Sequence, residues 1–119
     1  GGTGGGRDIW KRKAMGEIAA KHCAHVILTT EDPYDEPPEK IAKDTEEGVG
    51  DAPHETIIDR RLAMRRAFEL AKKGDAVFIT GKGDGPYMMG PGGARVPWSD
   101  AEVAREELRA LAAHTRKNI

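Results

Sequence analysis

Three short stretches concentrate the residues able to do chemistry. The chain begins GGTGGGRDIWKRK, with five glycines in its first six positions followed by Arg7, Asp8 and Lys11. The second stretch, EDPYDEPP, carries Glu31, Asp32, Tyr34, Asp35 and Glu36. The third, GKGDGP, sets Lys82 and Asp84 among Gly81, Gly83 and Gly85. Glycine lets the backbone approach a ligand closely. Successive exposed N–H groups beside a helix start attract anions, and an arginine fork matches a carboxylate. Charges of both signs around one cleft suit a zwitterion such as an amino acid. Loop charge that is merely solvated is the competing reading, and composition alone favours it. The common phosphate motifs are not met. Neither glycine stretch contains G-x-x-x-x-G-K-[ST], and Gly2-Thr3-Gly4 runs on through Gly5 and Gly6 to Arg7, so G-x-G-x-x-G lacks its last glycine. His22, His25, His54 and His114 are scattered along the chain, so no zinc site is expected.

The elements that must position these loops follow from periodicity. Ile9, Met15, Ile18, Ala19 and Cys23 are spaced for the apolar face of a helix. Val26 to Thr30 is a short β-branched run and reads as a buried strand of a parallel sheet. Pro33, Pro37 and Pro38 make the next segment a loop, and Pro38 opens a helix over about Glu39 to Glu47, ended by Gly48. GVGDAPHET reads as a second loop. A long helix follows from about Asp59 to Gly74, with Leu62, Ala63, Ala67, Leu70 and Ala71 as its stripe. Ala76 to Thr80 reads as a second buried strand. Residues 87–98 read as a hairpin turning at Pro91-Gly92-Gly93. Ser99 and Glu102 form a capping box for the last helix, on which Val103, Leu108 and Leu111 face inward. This alternation predicts an α/β fold with a Rossmann-like, mainly parallel open sheet, flanking helices and a hairpin. A glycine loop that enters a helix usually follows a strand, and none precedes Gly1, so the first strands of the domain are expected to be missing. All three loops then lie at the carboxyl ends of strands, where open sheets bind ligands.

Bulk composition excludes several classes of function. A formal net charge of −1 and a pI near 6.5 give no global attraction to nucleic acid or to anionic membrane. Only 5% of residues are aromatic, too few for a platform on which bases stack. No apolar run approaches a membrane span, and no signal peptide is visible. The single cysteine, Cys23, points to a reducing, cytoplasmic compartment, and an ordinary buried thiol is expected there.

In this order the loops resemble one family. GGGRDIWKRKAMGEIAAKHCAHVILTTEDPYDEPPEKI, IIDRRLAMRRAFELAKKGDAVFITGKG and VPWSDAEVARE are similar to the C-terminal domain of Mur ligases, above all the UDP-N-acetylmuramoyl-tripeptide synthetase (MurE-type) branch. Each motif alone is weak; the series is specific and covers nearly the whole chain. The resemblance implies a partial, N-terminally truncated domain over residues 1–119. It also implies that the parent enzyme joins an amino acid to a UDP-N-acetylmuramoyl peptide with ATP and Mg2+, in peptidoglycan precursor synthesis. ATP phosphorylates a peptide carboxylate, and the incoming amine attacks the acyl phosphate. The resemblance places ATP and Mg2+ mainly on a central ATPase domain of the same parent chain.

Carried over residue by residue, Arg7 matches the family arginine that contacts the incoming amino acid, and Gly81 matches a backbone contact to it. Asp32 stands where the Asp-Asn-Pro-Arg motif has asparagine, Tyr34 where it has arginine, and Gly85 where Gly-Lys-Gly-x-Glu has its acidic residue. Asp8, Lys11 and Lys82 are candidates for nucleotide or loop contacts. Asp59-Arg60 matches a family motif of structural character. With Tyr34 uncharged and four acidic residues around it, the loop is expected to favour a diamino acid with a cationic end, such as lysine or ornithine. The isolated chain is expected to be inactive and prone to self-association through its open sheet. Two rivals remain at this level: a non-catalytic Rossmann-like binding module, and a ligase of the same superfamily acting on a folate or poly-amino-acid substrate.

Overall fold

The structure is a computed structural model that describes Gly4, Gly6 and residues 8–117. Arg7 lies outside the described residues, as do Gly1, Gly2, Thr3, Gly5, Asn118 and Ile119. The order of elements is α1 (Trp10–His22), β1 (Val26–Leu28), α2 (Pro38–Val49), β2 (His54–Thr56), α3 (Arg60–Leu70), β3 (Tyr87–Met89), β4 (Arg95–Pro97) and α4 (Asp100–Lys117). The fold is α/β, with a short parallel pair, a short antiparallel pair and flanking helices. β1 pairs with β2 in parallel, Val26 opposite His54 and Leu28 opposite Thr56. β3 and β4 form the expected hairpin, Tyr87 opposite Pro97, with its turn at Pro91–Gly93. The core gathers Val26 and Leu28 of β1 with Ala42 and Val49 of α2, and Ala19, Ala20, Ala52 and Ile58 pack around them. No helix among the described residues is long and apolar enough to cross a membrane.

Several elements differ from expectation, each for a local reason. β2 falls within the stretch read as a loop. His-Glu-Thr is polar, so its pairing rests on backbone bonds such as Val26 N–H to the Pro53 carbonyl (3.1 Å) and Ile57 N–H to the Leu28 carbonyl (2.9 Å). α2 runs past Gly48 to Val49, and Gly50, at φ 62°, ends it. Gly48 is instead a contact position between helices. A Cβ there would lie 2.0 Å from the Lys13 carbonyl oxygen, and a Cβ on Gly16 would lie 2.1 Å from that of Thr45. α3 stops at Leu70 because the Asp75 side chain takes the Lys72 N–H at 2.8 Å and folds residues 72–75 into a turn.

Residues 76–80, expected to be a buried strand, form no regular element and join no ladder among the described residues. Most are exposed, Phe78 to 80%. An apolar β-branched run favours extended backbone, but a strand also requires a hydrogen-bonding neighbour. Here a cleft of about 360 Å3, walled by β1, α3 and residues 75–80, lies in that position. Cys23 follows the last turn of α1 in extended conformation and is exposed, not buried. Leu62 and Leu108 are also exposed, at 45% and 48%. α3 and α4 meet through charge instead: Arg65 Nε lies 2.6 Å from Glu107, which is buried, and Arg61 lies 2.8 Å from Glu106.

Candidate functional site

β1 delivers the acidic loop, and everything else at this end of the molecule is fastened to it. Gly4 is buried against the loop, where a Cβ would fall 2.0 Å from the Asp32 carbonyl oxygen. Only glycine permits that approach. The Gly6 amide donates to Glu36 Oε1. Asp32 accepts the Met89 N–H at 2.8 Å with one oxygen and lies 3.5 Å from Lys82 Nζ with the other. Asp35 accepts the Gly92 N–H at 2.8 Å, and the Tyr34 N–H donates to the Met89 carbonyl at 3.3 Å. Tyr34 itself sits at φ 54°, in the left-handed region. The hairpin is thus bolted to residues 32–35, and Gly4 and Gly6 are set against Asp32 and Glu36.

Of the residues singled out in the sequence, this arrangement brings together Asp32, Tyr34 and Lys82, and Gly85 stands beside Lys82. A Cβ on Gly85 would lie 3.4 Å from Lys82 Nζ. Lys82 is a buried cation, its side chain 2% exposed, set against Asp32 and not out in solvent. Gly81 is exposed at φ 100°, next to a second opening lined by Thr80, Gly83, Asp84 and Asp100. Asp8 and Lys11 lie apart from the group and pair with each other at 3.2 Å on an exposed helix start.

Two further anchors hold the loops in place. Arg60, buried at the start of α3, grips both oxygens of Asp100 at 2.8 Å. It also donates to the carbonyls of Thr30 (3.0 Å) and Thr80 (3.1 Å). One guanidinium therefore ties together the end of β1, the end of residues 76–80 and the cap of α4. Trp98 Nε1 donates to Asp100 as well, at 2.7 Å. Asp59, one residue earlier, caps α3 by accepting the Leu62 N–H at 2.9 Å. The structural character expected of Asp59-Arg60 is what these contacts show. The other anchor is Arg12, whose side chain has no exposure and which reaches Glu36 and Asp44 at 2.8 Å each.

The electrostatics follow from these pairs. Hydrogen bonds from Arg12 hold Glu36 and Asp44 below the usual carboxylate range, and the Gly6 amide adds to the effect at Glu36. Burial pushes Asp100 up, but the hydrogen bonds of Arg60 and Trp98 outweigh it and leave Asp100 lowered. Burial raises Glu31, whose Oε2 is enclosed without a hydrogen-bond partner.

The sequence as a whole supports the same grouping of loops. Residues 1–83 match the family model described as Mur ligase, glutamate ligase domain. The chain belongs to the Mur ligase family. It is 44% identical over 108 residues to the UDP-N-acetylmuramoyl-L-alanyl-D-glutamate–2,6-diaminopimelate ligase of Aquifex aeolicus, covering 90% of this chain and 22% of that protein. The ligase of the same name from Clostridioides difficile is 40% identical over 112 residues, covering 92% of this chain and 23% of that one. A solved structure of such a ligase superposes with a TM-score of 0.84 at 35% identity, over 94% of this chain and 23% of that chain. The chain therefore spans about a fifth of the length of these Mur ligases.

Within this Mur ligase domain, sequence reasoning missed Arg12, Glu36 and Asp100 as anchors. A faint signal existed for Arg12, which shares a helix face at i, i+4 with Gly16. A face bearing a glycine in mid-helix is one that another backbone approaches. Nothing local marked Glu36 or Asp100, whose partners are 24 and 40 residues away.

The shifted carboxylates make stability pH-dependent with a definite sign. Glu36, Asp44 and Asp100 are lowered by folding, so their contribution is complete above the ordinary values of 4.5 and 3.8 and disappears as pH falls through the lowered ones. Glu31 is raised and works against this, favouring the fold on protonation. Glu55 is also lowered, chiefly by its hydrogen bond from Arg66, whereas the Ala52 carbonyl raises His54, whose contribution is present below 6.5 and lost as pH rises through the raised value. Urea unfolding at a series of pH values should show the carboxylate contribution falling away below about pH 4.5, and the His54 contribution falling away as pH rises above about 6.5. Asp100→Asn should be less stable at pH 7 and flatter with pH. An unchanged slope in that variant would show that Asp100 is not one of the groups responsible.

Proposed function

We propose that this chain is the C-terminal domain of a cytoplasmic, ATP-dependent ligase that adds the third amino acid to a UDP-N-acetylmuramoyl peptide, with 2,6-diaminopimelate as that amino acid. Identity of about two residues in five with 2,6-diaminopimelate ligases, sustained along nine-tenths of the chain, carries the reading. The convergence of the glycine loop, the acidic loop and the Gly-Lys-Gly loop supports it. In this reading Arg7 binds the amino-acid carboxylate, and Asp32, Tyr34, Gly81 and Gly85 line its site. Asp8 and Lys11 remain available for contacts to nucleotide or to the neighbouring domain.

The preference for a cationic-ended substrate, expected from loop charge, is weakened in this reading. Asp32 is paired with Lys82 and Glu36 with Arg12, so two of the loop's four carboxylates are balanced within the protein. The field that a distal ammonium would meet is therefore weaker than the sequence suggests. ATP and Mg2+ belong, in this reading, to the central domain. The described residues assemble no group of three metal-ligating side chains. The domain's contribution is to orient the amine towards an acyl phosphate formed elsewhere, an entropic and positional effect.

Competition decides the amino acid. Full-length ligase supplied with ATP, Mg2+ and UDP-N-acetylmuramoyl-L-alanyl-D-glutamate should form amide faster from meso-diaminopimelate than from equimolar L-lysine. A clear lysine preference would overturn the assignment of the amino acid. Absence of amide from either would overturn the ligase reading.

A further inference from the structure

We propose that Glu36, braced by Arg12, is a positioning residue that sets the glycine loop, and through it the amino-acid contact that the proposed function assigns to Arg7. The inference rests on that reading for its catalytic consequence but not for its geometry. Glu36 Oε1 receives two donors. One is Arg12 Nη2, at 2.8 Å from a side chain with no solvent exposure; the other is the backbone amide of Gly6. Gly6 stands at φ 74° and immediately precedes Arg7. An anionic acceptor binds a backbone N–H more strongly than a neutral one does. The loop therefore hangs, at the residue before its arginine, from one carboxylate.

That carboxylate is in turn immobilised. Arg12 emerges from α1 and bridges Glu36 to Asp44 of α2, and Lys40 lies 3.5 Å from Asp44 and 3.9 Å from Glu36. Two cations and two anions form a balanced cluster, which explains how a guanidinium is tolerated out of water. Asp44 serves as an internal control. It shares Arg12 with Glu36 but, among the described residues, makes no hydrogen bond to Gly4 or Gly6.

A purely structural staple and a positioning device make different predictions in the full-length ligase. Glu36→Ala should raise KM for the amino acid about ten-fold, the loss of one charge-assisted hydrogen bond's worth of order, while KM for ATP stays within about two-fold. Asp44→Asn should weaken stability and leave both KM values alone. Glu36→Gln keeps an acceptor for Gly6 without the charge and should fall between wild type and Glu36→Ala. It also serves if the alanine variant does not fold. Hydrogen exchange followed by mass spectrometry supplies a readout independent of activity. The peptide spanning residues 4–9 should exchange faster in the Glu36 variants and at the wild-type rate in Asp44→Asn. Unchanged exchange in that peptide, or equal KM effects of the Glu36 and Asp44 variants, would overturn the positioning role. If wild-type enzyme makes no amide, the proposed function fails, and the exchange result still decides the role of Glu36.

Discussion

Arg60→Ala should cost about 3–5 kcal/mol of folding stability, the range for removing one partner of a buried, hydrogen-bonded ion pair. The side chain is 2% exposed, and Asp100 facing it is only 18% exposed. Deleting the guanidinium leaves Asp100 without its fork and the Thr30 and Thr80 carbonyls without their shared donor. The loss is severe because of where these groups lie. Residues 76–80 have no ladder partner among the described residues, so the Arg60 bond to Thr80 substitutes for a sheet in holding that segment beside β1. Typical domains have only about 5–15 kcal/mol in hand, so the variant should be mostly unfolded at modest urea concentration. Arg60→Lys retains charge but not the planar fork and should recover a minor part of the loss. Equilibrium urea unfolding measures both, and a deficit under about 1 kcal/mol for the alanine variant would show that water replaces Arg60 adequately.

The second large effect is expected from the smallest change. Alanine at Gly16 or Gly48 adds one methyl group to a helix, which on propensity alone stabilises by about 1 kcal/mol. Here the new Cβ would meet backbone: the Thr45 carbonyl oxygen at 2.1 Å for Gly16, the Lys13 carbonyl oxygen at 2.0 Å for Gly48. A flexible side chain could move aside, but a helical carbonyl is fixed by its own hydrogen bond. The helices must separate, and overpacking of this kind typically costs about 1–3 kcal/mol, occasionally more. Backbone contacts this short put the clash at the upper end of that range, so it outweighs the propensity gain, and each variant should be destabilised by about 1–2 kcal/mol net. Separation would also pull Arg12 from Asp44, because Arg12 lies one turn from Gly16 on the same face. Consequently Gly16→Ala and Asp44→Asn should couple non-additively in a double-mutant cycle. Unchanged or increased stability of both alanine variants would mean that α1 and α2 do not pack this closely.

Three helices were legible in the sequence because they carry their own punctuation, whereas α1 has no side-chain cap and buries Arg12 and Gly16 while the expected Ile9, Ile18 and Cys23 are exposed. Pro38 opens α2, Asp59 caps α3, and Ser99, 3.3 Å from the Glu102 amide, caps α4. The hairpin was equally local, its turn fixed by Pro91-Gly92-Gly93 with both glycines at positive φ. The acidic loop after β1 was also legible, but the Gly-Lys-Gly loop reaches Asp32 without a strand before it, so strand–loop alternation does not account for that contact. What misled was a tacit rule that apolar means buried. Leu62, Leu108, Phe78 and Cys23 are exposed, while Arg12, Arg60, Lys82 and Glu107 are buried.

By itself the sequence determined the α/β class, the helix starts, the hairpin and the Mur ligase membership, all of which rest on signals a few residues long or on ordered motifs. Only the tertiary structure decided which charges face solvent. A carboxylate in EDPYDEPP looks the same whether it awaits a substrate or holds Arg12, and the difference lies in partners 24 to 57 residues away. Tertiary structure likewise decided that Gly48 is a contact and not a terminator, and that residues 76–80 join no ladder among the described residues. Pairing and close approach are properties of two segments at once, and local sequence specifies only one of them.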